Sequence, residues 1–178
     1  AANAGFIVGK DSVVVIDTQR STDAARVQLA RIAEITAKPV RSVIVTHGDP
    51  DHVGGLMAYP AGTAIIAHEN IRAQILATAR APDGASPFLA AYRAIAAERL
   101  PNRTIAATEK LTIDGIAMTL FHVGPAHSSG DIVVFLPKQK VVFLGDVLTP
   151  EAASFPIIHN GGSSQGWIAT MRTALALK

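Results

Sequence analysis

Hydrophobic positions along the chain repeat with two different periods. Short β-branched runs at Phe6–Val8, Val13–Thr18, Ser42–Thr46, Thr63–Ala67, Leu111–Ile113, Ile116–His122, Ile132–Leu136 and Val141–Leu144 read as strands. Longer stretches carry the helical period. Residues 21–37 have Ser21 or Thr22 as cap, Ala25, Leu29 and Ile32 on one face, and Pro39 as stop. Residues 69–80 and 87–99 predict two more helices, the second capped by Ser86 with Pro87 in its first position. Residues 163–177 predict the last, capped by Ser163 or Ser164, with Trp167, Ile168, Met171 and Leu175 on one side. Strands interleaved with helices argue for an α/β layer architecture. Asp114-Gly115 is a two-residue hairpin signal, and Gly9–Ser12 and Pro137–Lys140 look like further tight returns, so antiparallel pairing should be prominent. Two helices in succession at 69–100 read as an insertion over the sheet, placed to cover a site.

A length of 178 residues suits a single domain spanning 1–178. With 49% hydrophobic and 17% charged residues, the chain can fill a core and is not disordered. A net charge of +2 offers nucleic acid no basic face, and the few Tyr and Trp residues make no base-stacking platform. The absence of cysteine excludes a disulfide scaffold, a thiolate zinc site and a cysteine nucleophile. No apolar run approaches the ~20 residues of a membrane-spanning helix, so no membrane partner is expected. The opening Ala1-Ala2-Asn3 is that of a processed or trimmed product. Compartment and oligomeric state are not readable.

Candidate chemistry gathers where strands end. In Thr46-His47-Gly48-Asp49-Pro50-Asp51-His52, four potential metal ligands lie within six residues, just after a strand and before Gly54-Gly55. Pro50 biases Asp49 toward extended geometry, in which His47 and Asp49 point the same way and can address one metal. Asp51 and His52 are adjacent and diverge, which suits a second metal. Two further strand ends contribute His127 in Gly124–Asp131 and Asp146 after Gly145. Imidazole and carboxylate without sulfur suit zinc, manganese or iron in a catalytic site. Ser128 and Ser129 beside His127 lack a Gly-x-Ser-x-Gly elbow, and no phosphate-cradling Gly-x-x-x-x-Gly-Lys occurs. His68 reads as structural, and His122 as either packing or a partner that orients a ligand.

With these stretches, together with Gly5-Phe6-Ile7-Val8 and Val15-Ile16-Asp17-Thr18, the chain resembles the metallo-β-lactamase superfamily of metal-dependent hydrolases. The resemblance implies a four-layer αβ/βα sandwich with one or two metals at the sheet edges. It implies that His47, Asp49 and His127 hold the first metal, that Asp51 and His52 hold the second, and that Asp146 bridges both. Zinc is the implied ion, one or two per chain, with manganese or iron as alternatives. The implied activity is hydrolysis of an amide or ester in a small-molecule substrate by a metal-bound hydroxide that Asp51 orients and whose proton it relays. The family's Asp near the metal loop corresponds to Asp17, which would hydrogen-bond that loop. β-Lactams, lactones and thioesters are the candidate substrates, with sulfate and phosphate esters as rivals. Helices at 69–99 and a loop carrying Phe155 and His159 would line the pocket and bind substrate.

Two departures stand out. The family motif His-x-His-x-Asp-His reads His-x-Asp-x-Asp-His here, which makes a dinuclear centre one charge more negative and shifts preference toward harder metals. The family's terminal strand and Gly-His turn, source of the second metal's last ligand, have no counterpart before Lys178, as in a fragment or a protein with an open second site. Alternatives are an iron-containing oxidoreductase of the same fold acting on oxygen or sulfur compounds, and a metal-binding module whose catalysis has decayed.

Overall fold

A computed structural model describes residues 3–148 and 158–177. Two sheets form its centre. The first has the order β1 (Gly5–Val8), β2 (Val13–Ile16), β3 (Val40–Ile44), β4 (Ala64–His68) and β5 (Arg103–Ile105). The second runs β6 (Glu109–Ile113), β7 (Ile116–Phe121), β8 (Val133–Leu136) and β9 (Val141–Phe143). The helices are α1 (Thr22–Ile35), the short α2 (Pro50–Val53), α3 (Glu69–Ala79), α4 (Leu89–Glu98) and α5 (Ser164–Leu175).

The apolar runs explain the layering. Val13 to Ile16 is buried at every position, because β2 has a layer on each side. Val13, Val15, Val43, Ile65 and Ala67 face Ala25, Ile32, Ile71, Ile75 and Ile95 of the helices. Val14, Ile16, Ile44 and Ile66 face Ile116, Met118, Leu120, Val134 and Leu136 of the second sheet. α5 packs through Trp167 and Met171 on Ala126 and Val147 at the ends of the second sheet's strands. This is an α/β sandwich with helices outside two facing sheets.

All three hairpins form. β1–β2, β6–β7 and β8–β9 pair antiparallel, and Asp114 and Gly115 both have positive φ (49° and 79°), the twist a two-residue hairpin requires. The Asp114 carboxylate also accepts from the Asp11 and Ser12 amides at 2.9 and 2.7 Å, tying the hairpin of one sheet to that of the other.

Antiparallel pairing is prominent, joining β1 to β2 and every neighbour in the second sheet, while β2, β3, β4 and β5 are parallel neighbours, as strands covered on both faces commonly are. Two expectations are corrected. The helices at 69–100 are not an insertion. They form the crossover from β4 to its parallel neighbour β5, a three-residue strand, Arg103-Thr104-Ile105, too short to leave an alternating pattern. α4 begins at Leu89 after Phe88, and the Ser86 hydroxyl accepts only from the Phe88 amide at 3.1 Å. Ser21 and Ser163 cap α1 and α5, accepting from the amides of Ala24 and Gly166.

Candidate metal centre

Every candidate ligand hangs on a segment that follows a strand. Asp17 leaves β2 with φ of 61°, which turns its buried carboxylate back over the end of β3. There it accepts from the Thr46 amide (2.8 Å), the Thr46 hydroxyl (2.7 Å) and His52 Nδ1 (2.8 Å). Thr18 continues the clamp, its amide and hydroxyl both donating to the His52 carbonyl at 2.9 Å. Asp49 is extended (φ −74°, ψ 153°) and Pro50 starts α2, so residues 50–53 form a helical turn within the expected loop. The Gly48 carbonyl accepts from Tyr92 Oη at 2.7 Å and Gln74 Nε2 at 3.3 Å, which locks the His47–Asp49 bend to α3 and α4.

The segment bearing His127 is held from within. Asp131 Oδ2 accepts from the amides of Ala126 and Ser128 at 3.1 and 2.8 Å, while Oδ1 accepts from the Ser128 hydroxyl at 2.9 Å. Trp167 meets the His127 ring edge-on, with centroids 5.9 Å apart. Asp146 follows Gly145, whose φ is +51° and whose place could not take a Cβ, which would lie 2.7 Å from Thr46 Oγ1. Only glycine brings that chain end so close to Thr46.

Among the described residues, two donor sets have all their ligand atoms within 4.8 Å of one another: His47, Asp49 and His127, and His47, His52 and Asp146. Asp49 Oδ2 lies 3.5 Å from His47 Nε2 and 3.1 Å from His127 Nε2. Asp146 stands between the sets' histidines, 3.3 Å from His52 Nε2 and 3.9 Å from His47 Nε2. Asp51 joins neither set. Its carboxylate is 42% exposed, with an oxygen 4.0 Å from His52 Nε2, at the open rim of the centre. His159 stands beside the first set, its Nε2 2.9 Å from Asp49 Oδ2. Phe155 lies outside the described residues.

The donors fit divalent ions. His47 Nε2 and His52 Nε2 are buried without a hydrogen-bond partner, a condition that costs about 1–3 kcal/mol for each atom unless something binds there. For His52 the orientation is set, since Nδ1–H donates to Asp17 and leaves the Nε2 lone pair directed inward. Without an ion, the carboxylates hold a proton on the His52 ring instead. Burial opposes a charged His52, but the negative charge of the neighbouring Asp146 and the hydrogen bond His52 donates to Asp17 outweigh it and raise its pKa to about 10. Burial likewise works against an ionised Asp49, yet the hydrogen bond from His127 and the nearby His47 ring hold its carboxyl well below the usual range. The His52 ring beside it lowers Asp146 in the same sense.

The remaining histidines stack on each other elsewhere, with ring centroids 3.8 Å apart. His68 Nδ1 accepts from the Asn70 amide and so caps α3. His122 Nδ1 donates to the Asp131 carbonyl at 2.9 Å and reaches the His127 segment only through that residue. Tyr92, Gln74 and Asn160 support the centre without any local signal in the sequence; only the tertiary fold brings them there.

The family model of the metallo-β-lactamase superfamily matches residues 1–178. The chain belongs to the metallo-β-lactamase superfamily. Among solved structures of this superfamily, the metallo-β-lactamase IND-7 superposes with a TM-score of 0.77 at 19% identity, covering 98% of this chain and 72% of that one. A metallo-β-lactamase from Pontibacter korlensis superposes with a TM-score of 0.73 at 21% identity, covering 97% and 72%. These two share the fold. The α subunit of 2,4-dinitroanisole O-demethylase from Nocardioides sp. (strain JS1661) is 31% identical over 144 residues, 80% of this chain and 40% of that protein. A linear primary-alkylsulfatase from Pseudomonas sp. (strain ATCC 19151) is 23% identical over 194 residues, 86% of this chain and 34% of that protein. The chain thus spans between a third and two fifths of the length of these curated relatives. No described helix of this superfamily member is long and apolar enough to cross a membrane.

Proposed function

We propose that this chain carries the metal centre of a hydrolase that cleaves an ester or amide bond in a small molecule. The observation that supports it most is the pair of buried, partnerless ring nitrogens on His47 and His52. They converge with Asp49, Asp146 and His127 at the carboxyl ends of the strands, where α/β folds commonly bind ligands. His47, Asp49 and His127 would hold one divalent ion and His52 and Asp146 a second, with Asp146 placed to touch both. Bound ions of this kind supply a Lewis acid and an activated water. Asp51 does the rest of the proton work: its half-exposed carboxylate is beside His52 at the solvent side, able to orient a water and take its proton. Asp17 keeps His52 in the ligating tautomer.

β-Lactams, lactones and thioesters are the substrate classes of this reading, and the alkylsulfatase relative adds sulfate esters. Zinc is the proposed ion; the carboxylate of Asp49 in the first set favours manganese or iron more than a third imidazole would. The test is metal content by mass spectrometry, followed by chelation, reloading and a panel of one β-lactam, one lactone, one thioester and one alkyl sulfate. Hydrolysis that disappears with chelation and returns with metal supports the reading. A metal-loaded protein, extended to the length of its relatives, that hydrolyses none of the four would sink it.

A further inference from the structure

We infer that His159 is itself a metal ligand, the fourth protein donor of the first ion, rather than a substrate-binding residue. Its Nε2 lies 2.9 Å from Asp49 Oδ2 and 2.9 Å from His127 Nε2, and those two atoms are 3.1 Å apart. Two imidazole nitrogens and a carboxylate oxygen therefore form a nearly equilateral triangle. Donors held about 2.0–2.1 Å from a tetrahedral ion stand about 3.3 Å apart, so the triangle is slightly contracted from what one ion needs. Two ring nitrogens at 2.9 Å can share only one proton, and a cation in their midst resolves the crowding better than any arrangement of hydrogens.

The backbone builds this approach. Residues 159–163 run beside the His127 segment through a ladder: the His159 amide donates to the His127 carbonyl, Ser129 to Asn160, and Ser163 to Ala126, at 2.9–3.1 Å. Gly162 lies so close that a Cβ there would meet the carbonyls of Ala126 and His127 at 2.6 and 2.5 Å. Asn160, with φ of 46°, turns its amide to within 2.7 Å of His159 Nδ1. Its Nδ2 faces the ring and lies 3.4 Å from Asp49 Oδ1; turned with its oxygen toward the ring, at the expense of that long contact, the amide would accept Nδ1–H and leave Nε2 to bind metal. His47, Asp49, His127 and His159 would then supply four protein donors to the first site, with His52, Asp146 and Asp51 on its other side.

This inference rests on the metal-centre reading above, and the experiment separates the two. Apo protein is titrated with Zn2+ while the imidazole 15N resonances are followed, and zinc affinity is measured by chelator competition for wild type and His159→Gln. Gln keeps a hydrogen-bond donor for Asp49 but offers no imidazole nitrogen. The expected result is a metal-bound shift at His159 Nε2 in wild type and a loss of about 100-fold or more in one of the zinc affinities in the variant, beyond the 10–100-fold typical of losing an outer partner. A His159 resonance that stays put while His127 responds overturns the ligand assignment alone, whether or not the variant folds. Unchanged affinity in His159→Gln does the same. A wild-type protein that takes up no ion overturns the metal-centre reading and this inference with it.

Discussion

Asp17→Asn changes the partner of His52 Nδ1 while leaving every candidate ligand in place. The backbone at residue 17 has φ of 61°, a region asparagine tolerates, so the substitution changes chemistry with little added strain. The carboxylate now takes three hydrogen bonds: the Thr46 amide on Oδ1, and the Thr46 hydroxyl and His52 Nδ1 on Oδ2. An asparagine oxygen can keep the Thr46 amide, and the hydroxyl can rotate to accept from the new NH2. His52 Nδ1 can meet that NH2 only as an acceptor, which moves the ring proton to Nε2 and removes the lone pair directed toward Asp146 and the proposed second site. Loss of such an orienting partner typically costs about 10–100-fold in metal affinity, or about 1.4–2.8 kcal/mol. In the metal-free protein, losing a charge-assisted hydrogen bond should cost a further 1.5–3 kcal/mol or so of stability. Chelator competition reads the first quantity and urea unfolding in EDTA the second. The variant should hold the ion at His47, Asp49 and His127 while losing the one at His52 and Asp146. If both ions bind within about twofold of wild type, the tautomer argument is wrong.

Gly145→Ala should lower metal affinity and cost on the order of 1–3 kcal/mol, because its Cβ would require positive φ and meet Thr46 Oγ1; unfolding with and without metal checks both effects. Leu120→Ala removes a fully buried side chain from between the sheets and should cost about 2–5 kcal/mol in urea unfolding, with unchanged metal stoichiometry. Adding zinc at about 100 times its dissociation constant should stabilise the apo protein by ~2.7 kcal/mol, visible as a rise in Tm, and a flat Tm would speak against binding to the native state. Acid should act through His68, whose pKa burial and the stacked His122 both depress. Because the unfolded chain binds that proton first, its stabilising contribution is complete above pH 6.5 and is lost as pH falls toward the lower folded value. His68→Asn retains a capping side chain without the titration. It should therefore lose less stability than wild type between pH 7.5 and 5 in EDTA; equal losses would assign the acid sensitivity to other groups.

The amino-acid pattern shows what lies inside an element better than what lies opposite it. Val13 to Ile16 is legible as a strand because burial on both faces demands an unbroken β-branched run. Asp114-Gly115 is legible because the turn itself needs positive φ. β5 leaves no such trace, since Arg103 and Thr104 are exposed and only Ile105 packs inward. Missing that one strand turned a βαβ crossover into an apparent insertion. α2 is hidden for a related reason: Pro50 at a first helical position and Pro50 after an extended Asp49 are the same local signal, and a helix of four residues has no period to decide between them.

The centre divides along the same line. His47, Asp49, Asp51 and His52 stand out as a cluster because chain neighbours must share a metal's neighbourhood if one strand end supplies several donors. His127 and Asp146 are legible as ligand types at strand ends, though not as partners of a given ring. Asp146 is separated from His52 by 94 positions, and only the packing of one sheet on the other sets their 3.3 Å separation. His159 is the extreme case. Nothing in Ile158-His159-Asn160-Gly161-Gly162 is periodic, and its position follows from main-chain hydrogen bonds to residues 126–129. Those bonds need only a side chain small enough at 162, so the glycine, not the histidine, is the sequence feature that encodes the approach. Gly162→Ala should therefore displace His159 from Asp49 as effectively as removing the imidazole, through a residue that touches no metal.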